Sequence, residues 1–498
     1  MSMKISFATL TKSSRVRKAT SIVSGLLVGL SLPPWGWWPL VIIGIAMFFR
    51  VCDLALNRIE TLIITTIFAA SWLGLGMVWM WWLTAPGYIF VVALFALMHG
   101  IAAVIARNFA NETYSRPIIH CLVEVLRYSM PFGGVPLATL PIAISRTTIA
   151  NLVSVGGPIL ATWFVFQVGA FISTCFDRRK SRVEVFRLFV LLIVIQAISL
   201  VDYSPQPTNQ TLRIAIVQGG GPQGVLAINA SAREAFDRHL AVTRTLRPED
   251  KLDAVLWPEN VIDVTNFENS KEFGEIVGEA KRLDADFSVG ITEDAGPKRF
   301  TNAQVVVEPT GEITSRYDKV RRVPFGEYVP EGLRKILGAI GAPIERIPSD
   351  AVAGKEPAVI KIGSNPIAVV ISWEAFFAGR ANSGIEAGGR LLFNPTNGSS
   401  YTGTVLQSQQ LATNSLRARE TGRWLLQAAT TGFSAVISPD GEITSRIGVG
   451  LAQTIVVDAP LQSGRTIYSR TGDAPLITLL IIALILLSPR RRKFKTQP

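Results

Sequence analysis

The chain has 498 residues, 49% of them hydrophobic and only 17% charged, with a formal charge of +12. Average soluble domains carry about 25% charged residues, which excludes an entirely water-soluble chain. The depletion is confined to residues 19–202 and 475–488; the stretch between, of about 250 residues, has soluble-domain composition and can bury its own core.

A membrane span needs roughly 20 apolar residues. Eight are expected, near 19–34, 37–53, 60–84, 86–110, 118–140, 147–175, 184–202 and 474–489. The first and last are short, and Pro131, Gly133 and Gly134 break the fifth, which is the weakest. The flanks and loops of one side carry Lys4, Lys12, Arg15, Arg17, Lys18, Arg178, Arg179, Lys180, Arg182 and a tail of Arg490, Arg491, Arg492, Lys493 and Lys495. The short loops of the other side offer only Arg146. By the positive-inside rule the first side is cytoplasmic and residues 203–473 lie outside. Much of the positive charge is therefore a topology signal, which argues against a nucleic-acid surface. No cleaved signal peptide is expected, because further apolar segments follow at once. PPWGWWPL at 33–40 and WMWWLT at 79–84 gather six Trp residues near the outer interface, either as an aromatic belt or as the wall of a lateral entry for acyl chains.

The segment YSPQPTNQ at 203–210 reads as a linker, and LRIAIVQ as the first buried strand. A helix is expected over 231–246, then the strand DAVLWPEN, a helix near 270–283 and the strand FSVGITE. A hairpin turning at Pro309-Thr310-Gly311 recurs in form at Asp440-Gly441, both halves reading GEITSR. AVIKIG, IAVVIS and RLLFNPT are further strands, and 404–421 is a helix. Alternating strands and helices argue for an α/β domain of sheets covered by helices.

Cys52, Cys121 and Cys175 fall in or beside spans, as do His99 and His120, so no metal or disulfide framework is expected in the outer domain. His239 is expected on the solvated face of a surface helix. Zinc and Ser-His-Asp chemistry are poorly supported.

Three strand ends carry groups fit for chemistry: LWPEN with Glu259, RYDKVRRVPFGEYVP with Lys319 and Glu327, and ISWEAFF with Ser372 and Glu374. Strand ends of α/β sheets are where sites gather. Singly, each has an ordinary reading as a loop cap or a solvated charge. Together, a carboxylate can take a proton from a nucleophile and a fixed ammonium can stabilise an oxyanion. A small hydroxyl beside them completes an acyl-transfer site without histidine.

WPE, the Lys eight positions before the Glu of PFGEYVP, TNGSSYTG and RARETGRWLLQAATTGFSAVISPDG occur in an order that resembles the apolipoprotein N-acyltransferase family, within the nitrilase (carbon–nitrogen hydrolase) superfamily. PFGEYVP in this context is highly specific. LVEVLR in the fifth span also matches, with Glu124 and Arg127 one helical turn apart, a pair that reads as mutual neutralisation in the membrane. The resemblance covers nearly the whole chain. It implies about eight transmembrane helices and an extracytoplasmic nitrilase-like αββα sandwich in a multi-pass cell-membrane protein. The domains would be 1–205 (transmembrane), 206–465 (catalytic) and 466–498 (linker, last span and basic tail).

The resemblance further implies Glu259 as general base, Lys319 as oxyanion stabiliser and Glu327 as a second acidic residue. Ser372 stands where the family has its nucleophilic Cys, in Ser372-Trp373-Glu374 rather than Cys-Tyr-Glu, with Trp373 and Glu374 supporting. Tyr328 and Tyr401 would contact substrate, Tyr401 standing where a Trp is usual. A family Trp after the first strand is missing from VQGGGPQGVLAIN. The implied reaction moves an acyl chain from phospholipid to the enzyme and on to the α-amine of a diacylglyceryl-cysteine lipoprotein, with no cofactor, metal or nucleic acid. With serine the intermediate is an oxygen ester. Two other readings stay open: a nucleophile-impaired relative that binds lipid or lipoprotein without transfer, and a membrane-anchored amide hydrolase.

Overall fold

The computed structural model describes residues 13–177, 180–201, 203, 205–224, 231–330, 332–335, 348–399, 401 and 403–488. Lys4, Lys12, Arg178, Arg179 and the basic tail from Arg490 lie outside the described residues, as do residues 225–229 of the segment that lacks the family Trp.

Among the described residues, seven α-helices come first: α1 (Ser14–Ser31), α2 (Pro39–Asp53), α3 (Arg58–Gly76), α4 (Met80–Ala106), α5 (Glu112–Arg127), α6 (Leu152–Cys175) and α7 (Arg182–Ser199). Among the described residues, three helical stretches are long and apolar enough to cross a membrane: Arg58–Gly76, Met80–Ala106 and Thr148–Cys175. The expected fifth span is cut short. Its helix stops at Arg127, and the chain to 151 runs as turns and short 3₁₀ segments, with Gly133 at φ +88° and Gly134 at φ +111°. Both are backbone conformations that suit glycine. Glu124 and Arg127 pair at 2.7 Å, and His99 and His120 extend the buried network from Glu124 at 3.0 Å per link.

Among the described residues, the following domain has fourteen strands in two sheets. The first strands are β1 (Gln206–Gln218), β2 (Ala254–Leu256), β3 (Ile262–Val264), β4 (Asp286–Asp294), β5 (Arg299–Val307), β6 (Ile313–Asp318) and β7 (Asp350–Ala351). The second group is β8 (Val359–Ile362), β9 (Asn365–Val369), β10 (Leu392–Thr396), β11 (Leu425–Ala429), β12 (Ala435–Ile437) and β13 (Ile443–Arg446); β14 (Gln453–Ser463) returns to pair with β1. One sheet runs β14-β1-β2-β4-β5-β6 with β3 and β7 attached, and the other β13-β12-β11-β10-β9-β8.

Period-two alternation decides the layers. Ile214 and Ile216 of β1 meet Ile367, Val369 and Phe393 of the second sheet, whereas Ala215 and Val217 face the opposite way. That outer face packs on α8 (Ala232–Thr243) and α9 (Lys271–Leu283). The second sheet's outer face packs on α10 (Ala378–Glu386) and α11 (Val405–Thr421). The result is the expected helix-sheet-sheet-helix sandwich. The two GEITSR hairpins are β5–β6 and β12–β13, one in each sheet, turning at Gly311 (φ +93°) and Gly441 (φ +78°).

His239 is a correction. It is fully buried, 2.7 Å from the Ala235 carbonyl and packed at a tilt against Trp257, and burial pulls its pKa down to about 4. The carbonyl can only accept, so Nδ1 carries the proton. Phe236, Leu240 and Thr243 are buried on the same face of α8, which carries His239 inward with them.

The sandwich sits on the helical bundle through the ISWEAFF stretch and α11. Trp373, Phe376, Phe377, Leu406 and Leu416 belong to the same apolar core as α1 to α4 and α6. Gln409 Nε2 donates to Gly76 O at 2.7 Å, and Gly157 of α6 lies so close to Tyr468 that a Cβ would fall 2.2 Å from its ring. Tyr468 is in α12 (Ile467–Thr471), which leads into α13 (Ala474–Leu487), a shorter apolar helix.

Candidate active site

Two strand ends of the first sheet converge. Glu259 follows β2 and reaches over β4 because Gly290 leaves room: a Cβ there would lie 2.2 Å from Pro258 O. Lys319 follows β6, its backbone N–H held by Asn302 O at 2.8 Å. The Lys319 ammonium donates to Glu259 Oε1 at 2.7 Å and to Glu327 Oε1 at 2.8 Å. Asn302 Nδ2 bridges the same two oxygens at 2.9 and 2.8 Å. Burial drives the Lys319 pKa down, and the two carboxylates overcome it and leave it above its ordinary value. Lys319 is therefore a fixed cation. An ammonium has three donors, and these bonds use two, leaving one for a further acceptor.

The second sheet supplies Ser372. After β9 the chain enters a one-turn 3₁₀ segment at Ser372–Phe376, with Ser372 at φ +49°. For a non-glycine residue this is a strained conformation of the sort held at functional sites. Gln410 Nε2 donates to Thr396 Oγ1 at 3.0 Å, and Thr396 Oγ1 donates to Ser372 Oγ at 3.1 Å. The serine oxygen thus accepts a bond and its own proton stays available. The next residue, Asn397, donates its backbone N–H to Glu259 Oε2 at 2.9 Å. Two consecutive residues at the end of β10 therefore hold the hydroxyl and the carboxylate. Among the described residues, no direct hydrogen bond joins Ser372 Oγ to Glu259 or Lys319.

Glu374 acts elsewhere in the site. Fully buried, it accepts from Tyr317 OH at 2.8 Å and from the backbone N–H groups of Val320, Arg321 and Ile371 at 2.9, 3.0 and 2.9 Å. It ties the loop after Lys319 to the residue before Ser372. Burial pushes its carboxyl above the usual value, against the pull of those N–H groups. Trp373 turns away from the charges, its ring 5.5 Å from Phe376 within the bundle core. Tyr328 donates to Phe132 O at 3.3 Å and lies under the Arg322 guanidinium. Tyr401 packs edge-on against Trp79 at 5.1 Å; burial, then Glu259, pushes its pKa up to about 12. Of the six interfacial Trp residues, Trp79 is buried, whereas Trp37, Trp38, Trp81 and Trp82 are exposed.

Sequence reasoning missed Asn302, Tyr317, Thr396 and Gln410. Asn302 and Thr396 are polar residues within apolar strands, a signature shared with any satisfied core amide or hydroxyl. Thr396 and Asn397 lay in a stretch singled out by resemblance, without a role for either.

Comparison with known proteins gives two family matches. The carbon-nitrogen hydrolase model covers residues 213–468, and the apolipoprotein N-acyltransferase N-terminal domain covers 24–171. The apolipoprotein N-acyltransferase of Mycolicibacterium smegmatis is 34% identical over 47% of this chain and 40% of its own length. Those of Nostoc sp. and Rhizobium rhizogenes are each 26% identical; the first match covers 92% of this chain and 89% of the relative, the second 94% of both. Among solved structures, an amidase from Nesterenkonia sp. matches at 19% identity and a TM-score of 0.39, over 55% of this chain and 98% of that one. The two family matches fall on the helical bundle and the sandwich in turn, and the chain belongs to the apolipoprotein N-acyltransferase family, a family of acyltransferases in the carbon–nitrogen hydrolase superfamily.

Proposed function

We propose that the chain transfers a fatty acyl group from a phospholipid to the α-amine of a lipoprotein's N-terminal diacylglyceryl-cysteine, through an oxygen ester on Ser372. The observation that supports this reading is the pair Thr396–Asn397, consecutive residues of which the first bonds the Ser372 hydroxyl and the second the Glu259 carboxylate.

In the first step Glu259 takes the Ser372 proton as Oγ bonds to the ester carbonyl, and the third Lys319 donor meets the oxyanion. The carbonyl re-forms, the C–O bond to the glycerol breaks, and Glu259 returns the proton to the leaving lysophospholipid alkoxide. In the second step the lipoprotein amine attacks the Ser372 ester and gives a proton to Glu259. The C–Oγ bond then breaks, and Oγ recovers the proton as the amide forms. Glu327 and Asn302 keep Lys319 and Glu259 in register, and Glu374 positions the Ser372 turn against the Lys319 loop.

The division into helical (1–205), catalytic (206–465) and C-terminal (466–498) parts, with eight spans in a cell membrane and the sandwich outside, belongs to this reading. Its support is the segregation of charge. Arg17–Glu60, Arg116–Asp53 and Lys180–Glu184 pairs gather at the helix ends opposite those that meet the sandwich. Cys175, exposed at that basic end, should then resist a membrane-impermeant maleimide in intact cells and react after permeabilisation; labelling in intact cells would reverse the topology.

A second reading, lipid or lipoprotein binding without transfer, draws on the missing direct Ser372–Glu259 bond, although apo sites commonly tighten only with substrate. Acylation of a diacylglyceryl-cysteinyl peptide decides between them. Transfer by the wild type and its loss in Ser372→Ala support the enzyme, whereas peptide binding with no transfer supports the second reading. Release of ammonia from small amides would favour a hydrolase.

A further inference from the structure

A cleft of about 170 Å³ opens where the helical bundle meets the sandwich, between Phe132–Gly134 on one side and Val320–Arg322, Tyr328 and Trp373 on the other. It adjoins both halves of the site, since Val320 follows Lys319 and Trp373 follows Ser372. Arg321 and Arg322 both line it, and no acidic residue does among the described residues.

Each guanidinium is braced by a carbonyl and an aromatic face. Arg321 donates to Gly133 O at 3.0 Å and lies 4.8 Å from the Phe377 ring centre. Arg322 donates to Ala351 O at 2.7 Å and lies 4.1 Å from the Tyr328 ring centre. Neither has a carboxylate partner among the described residues. The acids nearest in sequence are committed elsewhere, Asp318 to Arg316 and Glu327 to Lys319, Asn302 and Val323 N, and Glu374 accepts from Tyr317 and three backbone N–H groups. A guanidinium carries five donors, so two adjacent forks keep most of theirs for an anion. One rim is apolar: Phe132, which lines the cleft, meets the exposed Phe325 edge-on at 5.2 Å across the junction.

We propose that this cleft receives the phosphate of an anionic glycerophospholipid headgroup, with Arg321 and Arg322 as its binding residues and the apolar rim against the bilayer. The inference rests on the acyl-donor reading and deepens it, by making the donor site selective for net negative headgroups over zwitterionic ones. Two arginines facing one phosphate suit bidentate recognition, and the rim chemistry selects a lipid over a free phosphate.

The test is equilibrium binding of the full chain in detergent to dihexanoyl-phosphatidylglycerol, dihexanoyl-phosphatidylcholine and sn-glycerol 3-phosphate. With each arginine near a membrane surface contributing on the order of 1 kcal/mol toward anionic lipid, the glycerol headgroup should be preferred to choline roughly tenfold or more. The Arg321→Gln/Arg322→Gln pair should erase that preference, and the Arg321→Lys/Arg322→Lys pair should retain part of it; matching thermal unfolding midpoints establish that both fold. Equal binding of the two lipids by wild type, or a preference that survives the Gln pair, overturns the proposal. Glycerol phosphate binding as tightly as the lipid overturns the lipid source. Acyl-adduct formation, measured separately, keeps the readings apart: preference without adduct leaves the cleft and removes the transfer, and adduct without preference does the reverse.

Discussion

Replacing Lys319 by Met removes the one cation between two carboxylates. Lys319 and Glu259 are 2% and 3% exposed, and Lys319 holds both Glu259 and Glu327 within 2.8 Å. The variant leaves those carboxylates facing each other across the single amide of Asn302. Breaking a buried ion pair by deleting one partner costs about 3–5 kcal/mol, because the remaining charge is uncompensated. For a domain of this size that amounts to a melting point lower by about 10 °C, at 2–4 °C per kcal/mol. Adding Glu327→Gln removes one stranded charge and should recover roughly half of the loss by the same reasoning. Adduct formation should be absent from both variants, since neither has the donor for the oxyanion. Scanning fluorimetry in detergent and mass spectrometry of the acyl-enzyme measure the two effects. A single variant as stable as wild type, or a double variant no more stable than the single, refutes the charge argument; undiminished adduct formation refutes the role of Lys319. The linkage has a defined sign. The Lys319 pKa is raised by folding, so its stabilisation is complete below the ordinary 10.5 and fades as pH climbs through the raised value.

Glu374→Gln puts an amide NH2 among four donors, and each buried donor left unmatched costs about 1–3 kcal/mol. Acylation of Ser372 should slow while phospholipid binding holds, and an equal fall in both would remove its positioning role. His239 gives an acid-side prediction. Its pKa falls from 6.5 to about 4 on folding, so its stabilisation is present above 6.5 and lost as pH drops toward 4. The loss approaches about 3 kcal/mol at 1.36 kcal/mol per pKa unit, and a His239→Gln variant should show a shallower decline between those values; an unchanged profile contradicts the assignment.

Much of the sandwich was legible because strand chemistry is local. LRIAIVQ alternates between two cores, and both GEITSR hairpins turn at the glycines that their turns require. The fifth span was misread in length, since hydropathy does not register that Gly133 and Gly134 adopt left-handed backbone. His239 carried a readable signal, lying with Phe236, Leu240 and Thr243 at helical spacing, which the charged residues around it obscured. At the site, strand-end charges separated by tens of residues drew notice, but their connection did not. Asn302, Thr396 and Gln410 act through geometry between strands distant in sequence, and nothing in their local pattern sets them apart from core amides and hydroxyls. The turn of Trp373 toward the bundle depends likewise on how two folded parts meet.

The most direct measurement is the mass of the Ser372 peptide after the protein is incubated with phospholipid of known acyl composition. One acyl chain should appear on that peptide, resist neutral hydroxylamine as an oxygen ester does, vanish in Ser372→Ala and become hydroxylamine-labile in Ser372→Cys. An unmodified peptide from protein that still binds phospholipid, or an acyl group on another residue, would contradict the account.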